Sequence, residues 1–532
     1  MKLVRSLTSS RDALKGLDVP SKSLWVFPIC LALASLLRAK SFLLSVIDGD
    51  EAAYLLMARA LKNGAPLYTT VFDHKPPGIY FIYALAESLL GSAIPAIRVA
   101  ACIAVAITAY LLFMIARRMA GGTIYAAILA ASLYLIFSLE IGGLAANTEV
   151  FFAPFITYAF GEALNTVTLP AGERPSVSRL LGMGIAAGCA FQIKYVVMLD
   201  VALVMAIPAL VAWRQGDRGA ALARAPLWIL LGIGIPTAAV VAYFVGVGHV
   251  HEYLYSNFTA NAIHAKNSNL SVSWVVNSTL NELSGQWLPV LGTLLMIVFA
   301  ARHRRSGYPS DLSTWLAIAW FLTSFVGVQM PRRLYAHYFL QLLPAMCLLS
   351  GCFMAWLLDA FLRTNAELRF RGAAALTLLV GGPLLATALP QLSFALQAGL
   401  HRFARGEAHW GDPTARVADH LRSRMRPDDG VYVFDDETVL YLLLDRPAPT
   451  RYAFPAFITS THFSQVANVD PVHELEAILK QHPRYVVRRT AETADTADRN
   501  AAVYARMDAA LASGYEHDAT VADSEIFQRV GP

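Results

Sequence analysis

Charged residues are scarce in this chain of 532. They make up 15% of it, beside 56% hydrophobic residues, where soluble proteins average about 25% charged. That balance and a positive mean hydropathy exclude a water-soluble globular fold and point to an integral membrane protein. Cysteine is sparse too: Cys30, Cys102, Cys189, Cys347 and Cys352 all lie inside apolar segments. A disulfide framework or a cysteine metal site in the exposed regions is therefore excluded. No internal repeat, heptad, low-complexity tract or nucleic-acid motif is present, and transporter-style symmetry between halves is not visible. The apolar run after Ser23 lacks a small-residue cleavage site, so it is expected to remain as an anchor.

What the chain has in abundance is apolar runs near the roughly 20 residues that cross a bilayer. We read spans at 22–38, 97–116, 121–138, 147–165, 180–194, 196–213, 226–247, 285–301, 313–330, 335–359 and 372–392, about eleven in all, with 180–213 readable also as one tilted helix. Basic residues check the orientation, because short cytoplasmic loops collect Lys and Arg. Starting inside with Lys2, Arg5, Arg11, Lys15 and Lys22, the alternation puts Arg117–Arg118, Arg214–Arg218–Arg224, Arg302–Arg304–Arg305 and Arg363–Arg369–Arg371 in the cytoplasm. The formal charge of +5 is then a topology signal. The expected organisation is a cytoplasmic terminus 1–21, a membrane domain 22–392 with periplasmic loops 39–96 and 248–284, and a periplasmic region 393–532.

In that last region 402–430 reads as a linker and an amphipathic helix, followed by short strand or buried segments at Val431 and Tyr441. RYVVRR from Arg484 and EIFQRV from Glu525 complete a small α/β domain of roughly 120 residues, enough for a modest core. Asp435-Asp436 reads as a strand-end turn.

The stretch from Asp48 to Gly78 interrupts the membrane-like pattern with DGDEAAY, LKNGAPLY and FDHKPPG. EAAYLLMARALKNG has helical spacing and a glycine stop, so Asp48, Asp50 and Glu51 fall at a helix N-terminus. There the dipole favours ionised carboxylates, which suits acids that bind a cation or hold an acceptor hydroxyl; plain helix capping is the competing reading. Lys75, stiffened by Pro76-Pro77, is a compact ammonium suited to a lipid phosphate, against the alternative of a lysine that snorkels to water.

On Asp50-Glu51-x-x-Tyr54, Ala58-Arg59, Gly64-x-Pro66, Lys75-Pro76-Pro77, Gly91 and Arg98, the chain resembles the bacterial members of the protein-mannosyltransferase-like glycosyltransferases of GT-C fold, whose best-known bacterial relatives are the aminoarabinose transferases of lipid A. The likeness is strongest over 45–200, looser through His337–Pro344 and only architectural in the tail. It implies a polytopic α-helical membrane protein of GT-C type. It also implies transfer of a sugar from a polyprenyl-phosphate donor to a lipid, glycan or protein acceptor outside the cytoplasm, at the bacterial inner membrane. The absence of a Rossmann-like glycine motif agrees. Asp50 matches the family's acidic position and would be the base, with inversion at the anomeric carbon; Asp48 is extra to the pattern and leaves two candidate bases. Glu51 would orient the acceptor or a cation, and Tyr54 and Arg59 would face the same cavity.

Further candidates for the donor phosphate are Lys194 at a helix end, Arg98 at the start of span two, and Arg332, Arg333 and His337, cations that run against the orientation rule. Arg98 is read equally as the partner of a first-loop carboxylate. Glu149 is a weaker cavity candidate, and Tyr253, Tyr255, Phe258 and Trp274 would stack on sugars or lie in the interface. His249, His251 and Glu252 are too few for a metal site. No metal is predicted, although a divalent cation bridging Asp50 or Glu51 to phosphate is left open. An oligosaccharide ligase or polymerase and a flippase for an amphiphilic substrate are the alternative functions.

Overall fold

A backbone in hydrocarbon has no water to bond to, so apolar runs must close their hydrogen bonds internally as helices. The computed structural model describes residues 25–91, 93–170, 172–216, 220–266, 271–302, 311–362, 366–490 and 498–531. The basic stretch 1–21 and Lys22, and Arg218, Arg304, Arg305 and Arg363, lie outside them. Among the described residues six helices are long and apolar enough to cross a membrane: Ala93–Met119, Thr148–Val167, Tyr195–Arg214, Ala223–Val247, Leu312–Gln329 and Ala336–Phe361. A seventh span arises if the pair Val272–Ser284 and Trp287–Arg302, bent by 105°, counts as one. The remaining sequence intervals fall on shorter apolar helices, Val26–Leu37, Ile124–Phe137 and Val177–Ile193, and on the long helix Ala366–Arg405, which runs unbroken past residue 393. Among the described residues, length and composition thus identify six or seven of the eleven expected spans.

The stretch 180–213 is two helices, because Lys194 adopts an extended backbone with φ −157° and ψ 126°. Helix Val177–Ile193 lies hard against the helix that ends at Val247. A Cβ on Gly184 would sit 2.1 Å from the Ile229 carbonyl oxygen, so only glycine allows this approach. Arg38, just past the first helix and 1% exposed, donates from Nη2 to the Ser138 carbonyl at 3.1 Å and its Oγ at 2.8 Å. It thereby caps the negative end of helix Ile124–Phe137.

The tail forms a sheet of four strands, β1 (Val431–Asp435), β2 (Tyr485–Arg489), β3 (Tyr515–Val521) and β4 (Ser524–Arg529), in the order β1-β2-β4-β3. β1 and β2 are parallel, with Val433 opposite Val487, and the other two pairings are antiparallel. Val431 and Val433 face one core with Val417 and Leu421; Tyr432 and Phe434 face another with Leu475, Ile478 and Met507. Burial on both faces makes the first two strands continuous apolar runs. β3 is a polar edge strand and shows no such run. The YLLL segment is helical, Leu440–Leu443.

The tail is fastened to the first loop. Ser45 donates from N and Oγ to Asp412 Oδ2 at 2.8 and 2.6 Å, and the Phe72 amide donates to the Arg451 carbonyl at 2.8 Å. Phe72, Ala260, Phe457 and Val466 share one apolar cluster, so first loop, second loop and tail meet there.

Candidate active site

Two short elements build the site. Helix Gly49–Lys62 starts at Asp48, whose side chain accepts the Asp50 amide, and carries Asp50 and Glu51 in its first turn. The second is the Lys75-Pro76-Pro77 turn ahead of helix Gly78–Leu90. A Cβ on Gly78 would lie 2.5 Å from the Gln192 carbonyl oxygen, and this contact brings the turn beside Lys194.

Lys75 Nζ then donates to Asp50 Oδ2 at 3.0 Å, and the Tyr54 hydroxyl, one helical turn along, donates to the same oxygen at 3.0 Å. Burial favours the neutral acid at Asp50, but Lys75, His337 and these two hydrogen bonds outweigh it and hold the carboxyl below the usual range. Burial likewise works against the Lys75 ammonium, and the Asp50 charge more than restores it. Asp73 is different: burial lifts it to about 6, with Lys75 opposing and Asp50 adding. The pair is therefore charged at neutral pH beside an acid that titrates near it.

The other first-loop acids are engaged. Asp48 Oδ2 accepts from Asn147 Nδ2 at 3.1 Å, with His337 Nδ1 at 3.7 Å. Glu51, 1% exposed, is gripped by both Arg98 terminal nitrogens, Nη2 at 2.8 Å. It also accepts the amides of Ile47 and Ala146, while Arg98 Nε donates to the Ser41 carbonyl at 3.1 Å. Glu51 and Arg98 thus close on each other, the carboxylate alternative for Arg98, and neither has a free edge for phosphate or acceptor.

Lys194 Nζ pairs with Glu149 and sits 3.7 Å from the centroid of the Tyr338 ring. His337 stacks on Tyr335 with ring centroids 6.0 Å apart. Asp48, Asp50, Tyr54, Lys75, Glu149, Lys194 and His337 therefore gather at one place, linked by contacts or by charge interactions. Arg59 does not join them. It lies on the far side of its helix, 3.5 Å from Glu87 and 3.7 Å from Asp445.

Arg332 is exposed with φ 55°, whereas Arg333 turns inward and donates from Nη2 to the His264 carbonyl at 3.2 Å and to the ring of His462. His462 Nε2 is 2.9 Å from His264 Nδ1, and the His264 ring lies 5.1 Å from that of His74. Asp73 stands in the FDHKPPG stretch two residues before Lys75, whereas the histidine group has no pattern in the sequence, because His74, His264 and His462 are each nearly two hundred residues apart. Of the loop aromatics, Tyr253 is buried on Phe244 and Phe258 stacks on Tyr195, while Trp274 is exposed. His249 contacts Glu252 at 3.2 Å. Among the described residues no group of three or more His, Cys, Asp or Glu is placed to hold a metal ion.

Residues 74–244 match the sequence model of the family described as dolichyl-phosphate-mannose-protein mannosyltransferase. In fold, 96% of the chain superposes on 99% of ArnT from Cupriavidus metallidurans bound to undecaprenyl phosphate, at 17% identity and a TM-score of 0.62. Its apo state gives 18% identity and 0.61 over 96% of this chain and 100% of that one. The archaeal oligosaccharyltransferase AglB from Archaeoglobus fulgidus, in complex with an inhibitory peptide and a dolichol-phosphate, matches 88% of this chain and 69% of its own at 11% identity and a TM-score of 0.50. No curated protein sequence matches the chain significantly. The chain is thus similar to that family in sequence over 74–244 and to ArnT in fold over nearly its whole length.

Proposed function

We propose that this protein is an inverting glycosyltransferase that moves a sugar from a polyprenyl-phosphate donor, of the undecaprenyl type in a bacterial inner membrane, to a lipid, glycan or protein acceptor on the periplasmic side. The observation that carries the reading is the Lys75–Asp50 contact at 3.0 Å on Oδ2, with Oδ1 of Asp50 holding no hydrogen bond among the described residues. An ionised acid with one open oxygen, fixed against an ammonium, is a base waiting beside an anion site. The relatives that hold undecaprenyl phosphate and dolichol-phosphate support a lipid-phosphate donor.

In this mechanism the donor phosphate competes for Lys75, and the loosening of the Lys75–Asp50 pair leaves the second Asp50 oxygen to the Tyr54 hydroxyl alone and raises the basicity of the carboxylate. Donor binding therefore precedes activation of the acceptor. Asp50 takes the acceptor hydroxyl proton as the oxygen attacks the anomeric carbon. The bond from that carbon to the phosphate oxygen breaks on the opposite face, and the electron pair leaves with the lipid phosphate. Lys75, supported by Lys194 and His337, receives that charge. Asp48 steadies the helix start and His337, and Glu51–Arg98 holds the loop to the bundle.

Purified protein is supplied with a panel of radiolabelled polyprenyl-phosphate sugars and membrane extract. Wild type transfers label, and Asp50→Asn loses about 10²–10⁴-fold of that rate while still binding donor. Undiminished transfer by Asp50→Asn removes it as base, and Asp48→Asn then identifies the other candidate. Passage of lipid-linked substrate across vesicles without donor consumption would replace the transferase with a flippase.

A further inference from the structure

The helix that carries Asp50 has a second working face. At about 100° per residue, Tyr54 lies beside Asp50, whereas Leu56, Arg59, Ala60 and Asn63 lie on the other side. Between that face and the tail segment around Tyr441–Ala448 is a cavity of about 390 Å³, within the span of ordinary ligand sites. Two further cavities, on the helices around Leu169 and Tyr158, hold about 40 and 10 Å³.

Two arginines line this cavity, and both are held loosely. Arg59 reaches Glu87 only at 3.5 Å and Asp445 at 3.7 Å, well beyond the roughly 2.8 Å of a formed guanidinium–carboxylate bond. Arg446 donates from Nη1 and Nη2 to backbone carbonyls at 3.3 and 3.2 Å, and its buried Nε has no partner. Asp445, on the rim, holds a left-handed backbone with φ 53° and turns its carboxylate out to 95% exposure, away from a full pairing with Arg59. Leu56 and Leu442 supply an apolar wall.

We propose that this cavity binds a saccharide carrying a phosphate or carboxylate, with Arg59 and Arg446 on the anion and the Leu56–Leu442 wall against the apolar face of the sugar. The inference goes beyond the transfer reading and does not require it, since Asp50 points the other way. Because one wall is the Asp50 helix and the other is the tail, an occupant would clamp the two together.

Calorimetry on the full chain in nanodiscs, with glucose 1-phosphate and glucuronate as probes and glucose and inorganic phosphate as comparisons, tests this. Both charged sugars are expected to bind wild type and Asp50→Asn alike. Arg446→Gln, Arg59→Gln and the cavity-filling Ala60→Trp should each weaken them at least tenfold with melting temperature unchanged. Arg446→Gln, at a partly exposed side chain, keeps the test valid should Ala60→Trp fail to fold. Affinity for glucose or phosphate alone equal to that for the charged sugars overturns the proposal. So does binding that survives the arginine variants, or binding lost in Asp50→Asn, which would place the sugar in the transfer site. Failure of the transfer reading shows as absence of donor consumption, a separate readout.

Discussion

Asp50 and Arg59 share a helix but not a site. Nine residues at about 100° each put them roughly 180° apart, so the helical repeat alone separates them, and the expected common cavity is corrected by that arithmetic. Tyr54, four residues along, does join Asp50. Glu51 and Arg98 show how a charged residue at the centre of a motif can be devoted to structure: both are 1% exposed, and they are filled by each other and by nearby backbone groups. Glu51→Gln would leave the Arg98 guanidinium buried with its counter-charge gone, and breaking such a pair costs about 3–5 kcal/mol. The expected outcome is a large drop in melting temperature with donor affinity per folded molecule kept. A variant with unchanged stability but lost transfer would instead return Glu51 to the chemistry.

Among elements, the junction of first loop, second loop and tail is held by rings as much as by bonds. Burial and the nearby Arg333 charge lower His462 to about 4, and burial with His74, Arg333, Lys75 and His462 lowers His264 as well. Each folded-state value lies below the ordinary 6.5, so the stability these neutral rings contribute is fully present above pH 6.5. It is lost as pH falls toward 4. Amide exchange of 260–266 and 461–467 should therefore quicken between pH 7 and 4.5, and His462→Gln should flatten that change. Equal acid sensitivity in wild type and variant would remove the histidines as its cause. None of this is visible along the chain, because His74, His264 and His462 meet only when three distant segments fold together. The polar edge strand β3 escapes notice for a different reason: with little to bury, it has no alternation to read.

At the scale of the molecule, the tail is part of the site's support. It covers Phe72, bonds its amide through Arg451, and packs on Gly49 through Phe454, whose ring would lie 3.1 Å from a Cβ there. Removing 406–532 while keeping helix Ala366–Arg405 should leave a membrane-inserted protein whose 69–77 segment exchanges freely and whose transfer activity is lost. Full transfer by that truncated chain would reduce the tail to a separate appendage.

Composition by itself determined that this chain lives in a membrane as helices, since hydrocarbon leaves an apolar backbone no other way to pair its polar groups. Local patterning also located the helix start at Asp48–Glu51 and the stiff Lys75-Pro76-Pro77 turn, because caps and prolines act within a few residues. Only the tertiary structure decided which charges meet. Lys75 went to Asp50, Arg98 to Glu51, Lys194 to Glu149 and Arg333 to His462, leaving Arg59 and Arg446 facing a cavity. Pairing across 25 to 129 residues depends on how helices pack, and packing is a property of surfaces in contact that no stretch of sequence displays.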